Sequence, residues 1–117
     1  MKDKPMAQSS DHNLLDPHAI AEMLGLSLTA LARLVGVSRA TIVRTPLGPR
    51  GREALQPISR ILTQATEMTG SEREAGIWFR YQPIASMGTR TAMEHVAAGN
   101  ADTVLLHLED VRNGVYA

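Results

Sequence analysis

From residue 16 onward, apolar side chains recur three or four positions apart, the period of a helix that buries one face. Asp16-Pro17 opens the first such stretch, because Asp caps free N–H groups and Pro is tolerated in a first turn. Ile20, Met23 and Leu24 form its apolar face, and Gly25 can close it. Ser27 caps a second stretch carrying Leu28, Leu31, Ala32 and Val35, which Gly36 interrupts. Ser38 caps a third, short helix that runs to Arg44, where Thr45-Pro46 stops it. Leu47 to Gly51, with Gly-Pro and a second Gly, reads as a loop.

The longest periodic run spans Arg52 to Thr69, with Leu55, Ile58, Leu62 and Ala65 on one face and Ile61 and Met68 beside it. Pro57 sits early in that run, so the helix is expected to start or kink there. Gly70 ends it. Ser71-Glu72-Arg73-Glu74 and Thr91-Ala92-Met93-Glu94 both carry the capping-box pattern. The first opens a helix with Ala75, Trp78 and Phe79 that lasts until Pro83. After a loop with Gly88, the second opens a short helix with Met93, Val96 and Ala97 that stops at Gly99. Asn100 is placed to cap the last helix, whose apolar face is Val104, Leu105, Leu108 and Val111. Gly114 ends it, leaving Val115-Tyr116-Ala117 beyond. Seven helical segments and no convincing strand predict an all-α fold. Thr41-Ile42-Val43 has strand propensity, but its flanking caps favour a helix. Residues 1–13 are polar and aperiodic and read as a disordered tail.

The 117-residue length suits one ordinary domain, or two very small ones sharing a core. Cysteine is absent, which excludes disulfides and thiol catalysis and argues against zinc fingers and iron–sulfur clusters. With four aromatic residues, the core must be aliphatic, and a stacking platform for single-stranded nucleic acid is not expected. No apolar run follows Met1-Lys2-Asp3-Lys4-Pro5, and none reaches the ~18 residues of a membrane span, so a cytoplasmic protein with no membrane partner is expected.

A net charge of zero conceals a split. Residues 1–52 hold seven bases and four acids, whereas residues 53–117 hold five bases and eight acids. Leu26 to Arg52 contains five arginines and no acid, a pattern that suggests an anionic partner. Within that segment Ala32 lies four residues before Gly36, and Ile42 lies six after it. That is the spacing of a helix-turn-helix: a small residue admits the second helix, Gly takes the turn, and a branched residue locks the pair. The outward residues of the second helix are then Arg39, Ala40, Thr41 and Arg44, with Ser38 at its cap able to bond a phosphate. Arg39 and Thr41 stand where a recognition helix meets base edges. Arg33, Arg44, Arg50 and Arg52 are the expected phosphate contacts. Two packed helices with a glycine turn and no DNA satisfy a looser version of the same pattern.

The last helix stops three residues before the end, leaving Val115 and Tyr116 as apolar side chains in a short tail. Two blocks give the chain a wider resemblance. One is Leu28–Arg44. The other comprises A-G-I-W-F-R-Y-Q-P from Ala75, G-T-R-T-A-M-E-H-V-A-A-G from Gly88, and L-H-L-E-D-V-R-N-G-V-Y-A to the end. Over residues 16–117 the sequence resembles the Xre/ParS/MbcA family of bacterial antitoxins. It departs from that pattern in Arg80-Tyr81-Gln82 ahead of Pro83 and in carrying Pro57.

The resemblance implies an Xre-like helix-turn-helix DNA-binding region at 14–51, a connecting and dimerisation helix at 52–70, and a toxin-binding domain at 71–117. It implies a partner toxin of the RES fold that consumes NAD or transfers ADP-ribose. It also implies that the C-terminal tail blocks the toxin's NAD cleft and that the protein represses its own operon at operator DNA. Arg112, Asn113, Gly114, Val115, Tyr116 and Ala117 would then contact the toxin, with Tyr116 and the terminal carboxylate entering the cleft. A homodimer, and a hetero-oligomer with the toxin, are expected. Ile61 beside Leu62 and Leu106 beside Leu105 and Leu108 are expected to form an exposed apolar stripe. The alternative is a free-standing Xre-type regulator without a toxin.

Catalysis finds little support. His12, His18, His95 and His107 make no metal-binding spacing, and Glu94-His95 are neighbours that point apart on a helix. His107 and Asp110 are spaced to meet as a surface pair. No phosphate-binding loop and no nucleophile elbow is present. No enzyme activity, cofactor or metal is expected.

Overall fold

One long helix organises the chain. The computed structural model describes residues 15–114, so the segments 1–13 and Val115–Ala117 lie outside the described residues, as does His12. Within that range are α1 (Pro17–Leu24), α2 (Leu28–Val35), α3 (Arg39–Val43), α4 (Pro49–Thr69), α5 (Glu72–Tyr81), a 3-10 turn (Ala85–Met87), α6 (Ala92–Ala97) and α7 (Ala101–Arg112). No strand forms among the described residues; the only extended pairing is an isolated bridge between Ile84 and Arg90.

Local side chains set most helix starts. Asp16 accepts from the His18 N–H, Ser27 from Ala30, Ser38 from Thr41 and Ser71 from Glu74. Thr91 and Glu94 complete a reciprocal capping box, each taking the other's N–H. Three local expectations change. Ser71 and Glu74 make only half of a box. Asn100 precedes α7 without a side-chain cap bond. The segment read as a loop up to Gly51 ends earlier, because α4 begins at Pro49, whose fixed φ and missing N–H suit a first helical position. The helix also continues unbroken through Pro57. Pro57 removes the bond to the Glu53 carbonyl, and Glu53 is exposed, where water replaces it.

Helix α4 packs against α5 and α7 along most of its length and touches α2 and α3 near its start. Helix α1 lies on α5, and α2 on α6. A single core therefore draws on both halves of the chain: Ile20, Leu24, Leu31, Ile42, Leu55, Ile58, Phe79, Val104 and Leu108 are all buried in it. Trp78 is half-buried against that core. The expected apolar stripe on the long helix does not form, since Ile61 and Leu62 are both 0% exposed. Flanked on two sides, α4 buries adjacent positions that a one-sided helix would leave out. On α7, Leu108 is buried and Leu105 half-buried, while Leu106 is 61% exposed.

Two contacts fix α1 on α5. A Cβ at Gly76 would stand 2.4 Å from the Met23 carbonyl oxygen, so only glycine lets these backbones approach so closely. One turn further, Arg80 Nη1 donates to the Leu24 carbonyl at 2.8 Å, capping the C-terminal end of α1 with a cation. Helices α1 and α2 meet at 97° across Gly25. Among the described residues, no single helix is long and apolar enough to cross a membrane. The radius of gyration, 14.2 Å, is near the ~13 Å of a packed domain of about 100 residues.

Candidate nucleic-acid interface

The basic segment folds into α2, a three-residue turn and α3. Leu31 and Ala32 on α2 and Ile42 on α3 are buried against one another and the core. Gly36 adopts φ 81°, and its N–H bonds back to the Ala32 and Arg33 carbonyls, which turns the chain sharply. A side chain at that φ would be strained. Ser38 then starts α3: its Oγ accepts from the Thr41 N–H at 3.2 Å and lies 3.0 Å from Thr41 Oγ1. The two hydroxyls therefore hold each other across the first turn.

The outward face is as expected at most positions. Arg33, Ser38, Arg39, Ala40 and Arg44 are exposed, and Thr41 is half-buried. Arg44 lies one residue past the last helical position, with extended backbone, so it leaves the helix axis instead of lining its face. Its guanidinium folds over Gly48, where a Cβ would be 2.7 Å from Nη1. Ala40, Thr41, Arg44 and Arg50 line one concavity of about 270 Å³ at the start of α4, with no acid in its walls. Arg52 stands on the other side of Arg44, where the two share a second concavity beneath α3. Arg44, Arg50 and Arg52 are thus gathered at the junction of α3 and α4. Arg33 and Arg39 sit on the last turn of α2 and the first of α3 and share no concavity with them. Among the described residues, no carboxylate pairs with any of the five; the ion pair present is Arg112 with Glu67.

The residues expected to meet a toxin are placed elsewhere. Arg112 Nη2 donates to Glu67 Oε1 at 2.6 Å, an exposed pair joining the end of α7 to α4. The Asn113 N–H closes onto the Glu109 carbonyl, and Gly114 has φ 79°, ending the helix as its position suggests. Val115, Tyr116 and Ala117 lie outside the described residues.

The histidines hold structure together. The His95 Nε2–H donates to the Met87 carbonyl at 2.9 Å, while its Nδ1 is buried without a hydrogen-bond partner. His107 Nδ1 lies 3.4 Å from Ser86 Oγ. Burial lowers the pKa of His107 below the ordinary value of 6.5, and the Asp110 carboxylate opposes that shift. Both rings therefore fasten the 3-10 turn to α6 and α7. Among the described residues, no group of three His, Asp or Glu is arranged to hold a metal.

Sequence reasoning overlooked Gly76 and Arg80. An isolated glycine within a helical pattern was the available signal for the first. The second had none, because its acceptor, Leu24, is 56 residues away. In comparisons with known proteins, the chain matches no family model, no curated protein and no solved structure.

Proposed function

We propose that this chain is a DNA-binding antitoxin, with α2 and α3 forming a helix-turn-helix and α3 acting as the recognition helix. One observation carries the DNA reading: five arginines stand on and around a short, Ser-capped helix, exposed and without a carboxylate partner among the described residues. An unpaired cluster of one sign suits a phosphate backbone, where each contact releases a condensed counterion. Arg39 and Thr41 face base edges; Arg33, Arg44, Arg50 and Arg52 hold phosphates.

The toxin-neutralising half of the proposal rests on the resemblance of residues 75–117 to the antitoxin family. In this reading the tail beyond Gly114 closes the NAD cleft of a RES-fold toxin, and the protein or its complex represses its own promoter. Co-expression with the product of the neighbouring gene, followed by purification and an NAD-turnover assay, tests it. A stable complex whose NAD consumption is blocked, and resumes when this chain is removed, is expected. Promoter binding with no toxic neighbour and no complex would leave a free-standing regulator instead.

A further inference from the structure

The concavity shared by Arg44 and Arg52 has a chemistry that phosphate contact leaves unused. It measures about 320 Å³ and is walled by the start of α1, the end of α3, the Thr45–Leu47 loop and the start of α4. That is near the lower end of the ~300–1,000 Å³ typical of small-ligand sites. Leu15, Val43 and Leu47 supply an apolar surface, and the two guanidiniums stand at its edge with no carboxylate bonded to either. Asp16 also lines it, but one of its carboxylate oxygens is engaged at 3.0 Å by the His18 N–H that it caps. Two arginines and one aspartate leave a single positive charge.

We infer that this concavity binds a small apolar monocarboxylate, and that the bound carboxylate takes Arg44 and Arg52 away from DNA phosphates. The apolar part of the ligand lies on Leu15, Val43 and Leu47, where water is displaced at no polar cost. Its carboxylate bridges the guanidiniums, whose planar forks match two oxygens. The net charge of the lining favours a monoanion over a phosphate dianion. Because the same guanidiniums serve both partners, ligand and DNA compete, and an effector of this class would release the protein from its operator. The regulatory half of the inference rests on the DNA-binding reading; the pocket itself does not.

Octanoate is the probe, with octanol as its uncharged control. Amide NMR titration of the full chain without DNA should show saturable shifts gathered at Leu15, Val43, Leu47 and Arg52. Octanol should produce much weaker shifts, and Arg52→Gln should weaken octanoate binding roughly tenfold, the worth of one charged hydrogen bond. Leu15→Asn should weaken octanoate binding while leaving DNA affinity in its absence unchanged. Saturating octanoate should lower DNA affinity several-fold and flatten the salt slope by roughly one to two, as phosphate contacts are given up. Shifts scattered over the surface, or equal shifts from octanol, would overturn the pocket. Octanoate seated there with DNA affinity and salt slope unmoved would overturn the competition. If the chain binds no DNA at all, the functional reading fails while the titration still decides the pocket.

Discussion

Replacing Gly76 with alanine tests the packing that places α1, and through it the arginine-bearing helices. The new Cβ would sit 2.4 Å from the Met23 carbonyl oxygen, whereas real Cβ contacts essentially never fall below 3.0 Å. The obstacle is backbone, so no side chain can rotate away, and α1 and α5 must separate. Separation loosens Ile20, Leu24, Ala75 and Phe79, all buried at this contact or next to it, and stretches the Arg80 bond to Leu24. Overpacking of this kind costs ~1–3 kcal/mol, and the rigid acceptor places it near the upper end. Alanine's better helix propensity returns about 1 kcal/mol. A net loss of about 2 kcal/mol is expected, or roughly 8 °C in Tm for a domain of this size. Urea denaturation followed by circular dichroism measures it. Gly36→Ala is the control: nothing lies within 4 Å of the added Cβ, and the cost is confined to φ 81°, ~1–2 kcal/mol. A Gly76→Ala protein as stable as the parent would refute the close approach of α1 and α5.

Three further outcomes are expected. Thr91→Ala removes the one complete capping box and should cost about 1 kcal/mol in the same assay, whereas Asn100→Ala, which loses no cap bond, should cost less. Because the folded state depresses the His107 pKa through burial, its unfolded form binds protons more readily. Stability should therefore fall as pH drops below about 6.5 and through the folded value, and His107→Gln should flatten that slope between about pH 7.5 and 5.5 in urea midpoints. Deleting Val115 to Ala117 should leave the circular dichroism spectrum and DNA binding intact while abolishing toxin neutralisation; a truncated chain that still blocks NAD turnover at equal stoichiometry would remove the tail from the mechanism.

What the sequence revealed was local, and so was the physics behind it. The caps at Asp16, Ser27, Ser38 and Thr91 reach an N–H two or three residues ahead, and the turn at Gly36 depends on its own φ, so all were legible in order. The DNA-facing arginines were legible too, because exposure follows from the helical period once Leu31, Ala32 and Ile42 are taken as core. What escaped was set by distant partners. Ile61 is buried because α5 and α7 cover α4 from two sides. Arg80 is held by a carbonyl on α1, and Arg112 by Glu67 on α4. The start of α4 escaped for a different reason: Gly-Pro-Arg-Gly has loop composition, yet its proline suits a first helical turn.

The central claim is that α3 reads DNA sequence through Arg39 while the arginines at the α3–α4 junction supply sequence-independent affinity. Binding of the parent, Arg39→Ala and Arg50→Ala proteins to the chain's own promoter and to unrelated DNA, across a salt series, tests it most directly. Arg39→Ala should reduce the preference for the promoter roughly ten- to a hundredfold, the worth of one good base contact. Arg50→Ala should weaken both DNAs alike and reduce the salt slope by about one. An Arg39→Ala protein that keeps its full preference for the promoter would contradict the assignment of α3 as the recognition helix.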